Sequence, residues 1–199
     1  MESDAILVPG DSTSTSVKDL KGRNIAVAKG SSAHGQILVT LAAEGLTTKD
    51  VTLTQKRVDA WAVWDPYTSQ AEQEAGARVL TDGRGKANGY TFQVASREAL
   101  DSPGRSEAIK EFVKRYSQAQ RWADTHHEEW AQAWAAETGL KIEVARAAVA
   151  RGVDLSVKLG DEVIESEQEL ADAFTADGTL PGKVDFRKFV DTRFAGELS

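Results

Sequence analysis

A glycine, two serines and a histidine lie together where a predicted strand gives way to a predicted helix. The run is KGSSAHG at residues 29–35, with an apolar stretch at 25–28 before it and a helical pattern at 33–44 after it. A strand that enters a helix through such a turn points several backbone N–H groups at one place, and the helix dipole makes that place attractive to an anion. The run predicts a small-anion site, or else a helix that Ser31 or Ser32 caps without a ligand.

The residue types in this run exclude the common nucleotide-binding motifs. Gly30 and Gly35 have the separation of a Walker A loop, but Gln36 and Ile37 follow where that loop needs lysine and a hydroxyl residue. The dinucleotide-binding pattern also fails, because Ser32 occupies the position of its second glycine. An unspecialised pocket for a small anion is what these residues leave.

A second segment, VDAWAVWDPY at residues 58–67, combines tryptophan with a carboxylate. Its alternating start is typical of a strand, and Pro66 is typical of the first position of a helix. Trp64 and Asp65 then lie at the carboxyl edge of the sheet, the edge at which open α/β sheets bind ligands. The alternative is that Trp61 and Trp64 are core residues and that Asp65 is a helix N-cap.

The elements that would position these residues form an α/β unit followed by a helical region. The predicted strands are 25–28, 51–54, 58–64, 78–81 and 90–96, with helices at 33–44 and 66–74, a rhythm that favours a parallel sheet. After Tyr90 the pattern is mainly helical. Helix starts are predicted at Ser102 with Pro103, at Thr125 with Glu128 as a capping box, at Asp161 and at Asp185, and helix ends at Gly45, Gly139, Gly152 and Gly178.

Composition excludes several classes of function. The 199 residues carry 31 acidic against 24 basic side chains, a net charge of −7, with no basic cluster, which argues against nucleic acid or an anionic membrane as a partner. The absence of cysteine excludes disulfides, thiolate zinc sites and cysteine nucleophiles. The start, MESDAILVPG, lacks the features of a signal peptide, so that the sequence as it stands predicts a cytoplasmic chain.

Neither a metal site nor a catalytic centre is predicted. His126, His127, Glu128 and Glu129 are adjacent, but neighbouring helix positions diverge by about 100° and the HExxH spacing is missing. No carboxylate is paired with a nucleophile or base in the way that a hydrolase requires. We therefore expect no metal, no cofactor and no enzymatic activity.

Several motifs in order resemble the substrate-binding proteins of ABC importers for aliphatic sulfonates, a group similar to the taurine and nitrate binders. They are ILVPGDSTSTSVKDLKGRNIAVAKGSSAHG, VDAWAVWDPY, NGYTFQVASREAL and PGKVDFRKFVDTRF, and they run from about Ala5 to Phe194. The resemblance implies a type II periplasmic binding protein-like fold, with two lobes that close on a ligand by hinge motion. It also implies an extracytoplasmic, periplasmic or cell-surface protein that works with a membrane permease.

The same resemblance implies a division of the chain. Residues 10–89 would form the second α/β lobe with the anion site, 5–9 and 90–95 the hinge strands, and 96–199 the helical C-terminal part of the first lobe. Family members have a further N-terminal stretch of lobe one where this chain has MESD, and about one more helix near Gln55. The helices after Tyr90 would then expose an apolar face, through which the chain could self-associate.

The resemblance also implies the ligand contacts. The backbone amides of Ser31, Ser32 and Ala33, with the serine hydroxyls, would hold sulfonate oxygens, and Trp64 would pack on the aliphatic part. The other predicted contacts are Asp65, Asn88, Gly89 and Tyr90; His34 lies nearby, outside this set. Two alternatives stay open: an enzyme of the same fold acting on a sulfur-containing or pyrimidine-like compound, and a ligand-sensing domain without a transport role.

Overall fold

The computed structural model describes residues 4–54, 58–152 and 155–198 and contains one five-stranded sheet flanked by helices. The strands are β1 (Ala5–Val8), β2 (Asn24–Ala26), β3 (Thr52–Thr54), β4 (Ala60–Val63) and β5 (Arg78–Asp82). The helices are α1 (Ser32–Ala43), α2 (Tyr67–Ala75), α3 (Arg97–Asp101), α4 (Pro103–Thr125), α5 (His127–Thr138), α6 (Ile142–Ala150) and α7 (Asp161–Ala176). Short 3-10 helices span Val17–Leu20, Phe186–Phe189 and Ala195–Leu198.

The sheet is mixed, although the alternating elements predict a parallel one. Its strand order is β3-β2-β4-β1-β5. β2 is parallel to β3 and β4, whereas β1 is antiparallel to both of its neighbours, β4 and β5. The first strand enters the sheet between β4 and β5, which follow it in the chain, and this insertion reverses its direction relative to them.

The core lies on both faces of the sheet, because β1 is buried on both sides. Ile6 and Val8 pack with Ile25 and Ile37 in the larger cluster, beneath α1. Ala5, Leu7 and Val63 form a smaller cluster on the side of α2. The continuous apolar run of β1 matches a strand covered on both faces.

Two helices from the C-terminal region pack on the helices of the sheet. α6 contacts α2, and α7 contacts α1. Gly35 lets α1 and α7 lie close together, since a Cβ at this position would lie 2.5 Å from a side-chain carbon of Leu170. The division into lobes stays a prediction, but part of the predicted first lobe thus packs against the predicted second one.

Several predicted element boundaries are confirmed. Strands are present near all four predicted positions before Tyr90, α4 begins with Ser102 as its N-cap and Pro103 at its first turn, and Gly45 follows α1 with a φ of 72°. The left-handed conformation of Gly45 turns the chain so that the amide of Leu46 donates to the carbonyl of Leu41, and this closes the end of the helix. The place near Gln55 where the resemblance implies that this chain lacks one helix of the family falls at residues 55–57, outside the described residues.

Other predicted elements are wrong. Residues 90–96 form no strand. The predicted capping box at Thr125 fails because α4 runs through this residue, whose hydroxyl donates to the carbonyls of Arg121 and Trp122. Glu128 instead pairs with Arg146, whose hydrogen bonds lower the pKa of Glu128 to about 2.

The predicted caps of the last two helices are also corrected. Gly160, not Asp161, is the N-cap of α7, and Asp161 pairs with Arg187 instead. The helix predicted after Asp185 is reduced to the 3-10 turn Phe186–Phe189.

A large apolar groove lies along the extended segment 89–95. Its volume is about 860 Å³. Side chains from α4 and from the C-terminal 3-10 turns line it, among them Ile109, Phe112, Phe186 and Phe189. Phe112 is 52% exposed and Val94 is 94% exposed, which confirms the expected apolar face after Tyr90.

Within the described residues, no helix combines the length and the apolar character that crossing a membrane needs.

Candidate functional site

The sheet brings the serine turn and the tryptophan segment to one edge. β2 and β4 are adjacent parallel strands, with Ala26 opposite Trp61. Ser31 and Ser32 follow the carboxyl end of β2, and Trp64 follows that of β4. The prediction that these segments share an edge is therefore confirmed.

Ser31 caps α1. Its hydroxyl accepts the amide hydrogen of His34 at 3.2 Å and donates to the carbonyl of Ala28 at 2.7 Å. Its own amide donates to the same carbonyl at 3.1 Å. The capping alternative thus describes Ser31 well, because its amide and hydroxyl both have partners in the turn.

Ser32 and Ala33 carry the open amides of the helix start. Among the described residues, neither of these two N–H groups has a hydrogen-bond partner, as expected for the first turn of a helix. Ser32 is exposed and Ala33 is fully buried. The Ser32 hydroxyl donates to a carboxylate oxygen of Asp4 at 3.1 Å, so that it already bonds an anionic oxygen of the chain itself.

Trp64 lies between the core and the edge of the sheet. It is half-buried and packs against both apolar clusters. Tyr67, at the first position of α2, stands edge-on to Trp64 at 6.0 Å and is tilted against Trp61 at 6.3 Å. The three rings present an aromatic surface, in which Trp61 is 36% and Tyr67 46% exposed.

Asp65 is held inside the protein by its own partners. One carboxylate oxygen accepts the amide of Ser69 at 3.0 Å and its hydroxyl at 2.6 Å. The other lies 3.1 Å from Nε of Arg151, which also pairs with Glu72. The Asp65 side chain is 6% exposed. The N-cap of α2 is Pro66, so the predictions of Pro66 at the first helical position and of Asp65 as the N-cap are each displaced by one residue. Asp65 lies just before the cap and bonds the first turn through Ser69.

The segment from Asn88 to Tyr90 contacts α7 and the groove. The Asn88 side chain donates to Ser166 at 2.7 Å, and the Tyr90 amide donates to the Asn88 side chain at 3.3 Å. Gly89 and Tyr90 line the groove. In the described part of the chain, none of their hydrogen bonds reaches the serine turn or Trp64.

His34, which lies outside the predicted set of ligand contacts, is buried beneath the turn. It is 2% exposed, and its Nδ1 accepts the amide hydrogen of Gly30 at 3.1 Å. Its Nε2 faces a carboxylate oxygen of Asp177 at 3.9 Å, and its ring meets Phe174 edge-on at 5.2 Å. Burial lowers the pKa of His34 below its ordinary value, although Asp177 opposes this shift. The separation of four residues between Gly30 and His34 is the feature of the sequence that could have indicated this hydrogen bond.

The charged cluster at residues 126–129 forms no metal site. His126 bonds the carbonyl of Trp122, and Glu128 is committed to Arg146. No group of three or more metal-ligating side chains occurs anywhere in the residues that the structure describes.

The similarity of this chain to solved structures identifies its fold class. The chain matches the periplasmic aliphatic sulphonate binding protein SsuA from Escherichia coli with a TM-score of 0.85 and 30% identity, over 96% of this chain and 65% of that one. It matches the alkanesulfonate-binding protein SsuA from Xanthomonas axonopodis pv. citri, bound to MOPS, with the same score and identity, over 70% of that chain. The fold is that of the periplasmic binding proteins.

The sequence comparisons then give the family. No family model matches the chain. Curated relatives named for binding aliphatic sulfonates are 32% identical over 200 residues in Escherichia coli (strain K12) and 29% identical over 209 residues in Bacillus subtilis (strain 168). The chain belongs to the family of aliphatic sulfonate-binding proteins. It spans 62% of the length of these two curated relatives.

An enzyme also has this fold. The desulfurization enzyme DSZB matches with a TM-score of 0.65 at 18% identity, a likeness that shows the fold alone. The more similar relatives described above are named as binding proteins.

Proposed function

We propose that this chain binds an aliphatic sulfonate or a related small oxyanion as the solute-binding component of an ABC importer. The observation that carries the proposal is the pair of open amides on Ser32 and Ala33, beside Trp64 at the carboxyl edge of the sheet. Family membership and the sulfonate buffer bound to the Xanthomonas relative support it.

The chemistry of a sulfonate suits such a site. Its three oxygens share one negative charge that is present at all ordinary pH values, and backbone amides at a helix start offer donors without a buried counter-ion. The exposed amide of Ser32 would donate first, and the rings of Trp64 and Tyr67 would cover the hydrocarbon part. Ser31 would act mainly by holding the turn, and Asn88, Gly89 and Tyr90 would contribute once the lobes close.

The permease and the location complete the proposal. A solute-binding component delivers its ligand to a permease in the membrane, so this chain would act in the periplasm or at the cell surface, as the names of its structural relatives indicate for them. Ligand-stabilised closure of two lobes would create the surface that the permease recognises.

Titration calorimetry with ethanesulfonate, taurine, MOPS, nitrate and sulfate tests the ligand class. We expect saturable one-to-one binding of at least one sulfonate, with MOPS the first compound to try and no product formed on incubation. Replacement of both Ser31 and Ser32 by Leu should abolish the binding. A folded chain that binds none of the sulfonates, or that converts one of them, would contradict the proposal.

We also propose that the groove at residues 89–95 pairs with a second copy of this chain. None of the backbone groups of Thr91 to Ala95 makes a hydrogen bond to another residue in the described ranges. Val94 is almost fully exposed above an apolar floor that includes Phe112. Such an unpaired segment is a template for strand pairing. Two copies related by a two-fold axis could form an antiparallel pair centred on Gln93, in which the backbone N–H and C=O groups of each copy bond those of the other.

Light scattering during size-exclusion chromatography measures this association. We expect a mass that rises with concentration from the 21.5 kDa of one chain toward twice that value. Val94→Lys should shift the mass back toward the monomer, because an inward-facing charge blocks edge pairing. Lys114→Glu, a change of charge on α4 away from the groove lining, serves as the control. A monomer at every soluble concentration would refute this pairing.

A further inference from the structure

We propose that His34 is a positioning residue for the anion site, which it serves through the neutral form of its imidazole. The inference rests on the proposed sulfonate site and adds a role for a side chain that does not touch the ligand. His34 lies beneath the turn that carries Ser31 and Ser32, and only 2% of its surface is exposed to solvent.

The hydrogen bond from Gly30 fixes the tautomer of the ring. A backbone N–H can only donate, so the Nδ1 that accepts it at 3.1 Å carries no proton. The proton of the neutral ring is therefore on Nε2, which faces a carboxylate oxygen of Asp177 at 3.9 Å. The ring spans from the turn to the end of α7 in one defined orientation.

This bond closes the turn from below. The His34 amide donates to the Ser31 hydroxyl while the His34 ring accepts from Gly30, so that both ends of the residue hold the same turn. Gly30 has a φ of 81°, a conformation that favours glycine. With Gly30 and Ser31 held, the amides of Ser32 and Ala33 keep one direction, which reduces the ordering that ligand binding would require.

Protonation would break the arrangement. A proton on Nδ1 would oppose the Gly30 N–H, whereas the imidazolium would be drawn toward Asp177. The charged groups that face His34 are Asp177, from the end of α7, and Lys29, from the turn; Asp4 bonds the neighbouring Ser32. Because His34 is neutral in the competent form, ligand affinity should be full above its pKa and should fall as the pH drops through that value.

Two variants separate the acceptor from the bulk of the ring. His34→Asn places a side-chain oxygen near the position of Nδ1 and should keep sulfonate affinity within about threefold, while it removes the pH dependence. His34→Leu fills the space without an acceptor and should lose about tenfold in affinity, the worth of one hydrogen bond. Thermal unfolding of both variants checks that they are folded, and both lose the contact with Asp177, so that this contact cannot explain a difference between them.

Nuclear magnetic resonance of the unliganded chain tests the hydrogen bond between Gly30 and the His34 ring independently of any ligand. The ¹⁵N shifts of His34 should show an unprotonated Nδ1 at neutral pH, and the Gly30 amide should titrate together with the ring. If no sulfonate binds but these shifts are seen, the proposed function is refuted, whereas the role of His34 in holding the turn is supported. A proton on Nδ1, equal affinities of His34→Leu and the parent chain, or an affinity that rises at acid pH would overturn the inference.

Discussion

Ser32→Pro is expected to weaken sulfonate binding by about 10- to 100-fold while α1 remains intact. The change removes one N–H donor, and a hydrogen bond to a charged group is worth about 1.5–3 kcal/mol. Ser32 is the first residue of α1, where proline is well tolerated because its missing N–H has no intrahelical partner. Ser31 before it is extended, with φ −82° and ψ 171°, the region that a residue preceding proline prefers.

Ser32→Ala is the matched control for this experiment. It removes the hydroxyl that bonds Asp4 but keeps the amide, and we expect its affinity to lie within about threefold of the parent chain, a change below about 1 kcal/mol. Circular dichroism should show the same helical content in both variants. If Ser32→Pro and Ser32→Ala bound ethanesulfonate equally well, the open amide would have no role in binding.

The sheet edge could be predicted from the sequence because its signals are local. The glycine and serines of the turn, the alternation before Trp64 and the proline after Asp65 each specify a strand end or a helix start within a few residues. Their meeting at one edge follows once the two strands are parallel neighbours, as β2 and β4 are.

The partners of the side chains could not be predicted in the same way. Asp65 was expected to face a ligand, yet Arg151, more than eighty positions away in the chain, lies 3.1 Å from it. His34 lies outside the predicted ligand set, since a position one turn into a helix can be solvent-exposed, and no residue near it in sequence reveals that Asp177 faces its ring. Burial and long-range pairing depend on how α6 and α7 pack on the sheet unit, and periodicity carries no information about that packing.

The failure of the strand predicted at 90–96 has a related cause. The sequence NGYTFQVAS has the composition of a strand, but a strand needs a neighbour whose backbone groups can pair with its own. Within the described residues, no such neighbour lies beside Thr91 to Ala95. Local propensity therefore specifies the extended conformation of this segment but cannot by itself make it a strand.

Asp65→Ala is expected to lower the free energy of unfolding by about 2–4 kcal/mol and to leave sulfonate affinity nearly unchanged. The carboxylate serves the Ser69 amide, the Ser69 hydroxyl and Arg151 from a position only 6% exposed. Removal of Asp65 leaves Arg151 with Glu72 as its acidic partner and leaves the Ser69 amide and hydroxyl without their acceptor. Breaking a buried pair in this way costs more than the worth of the pair itself. Urea denaturation gives the free energy, and calorimetry gives the affinity for ethanesulfonate and taurine.

Asp65→Asn and Glu72→Gln separate the contributions within this network. Asn keeps an acceptor for the Ser69 amide and loses only the charge, so its cost should fall between zero and that of Ala. Glu72 pairs with the same Arg151 but is 31% exposed, and water can replace it, so Gln should cost less than about 1 kcal/mol. A ligand role for Asp65 would produce a different result: taurine, with its ammonium group, would lose more than tenfold in affinity in Asp65→Asn while ethanesulfonate did not. Because one carboxylate oxygen is held by Ser69 and the other is paired with Arg151, we expect the two ligands to respond alike.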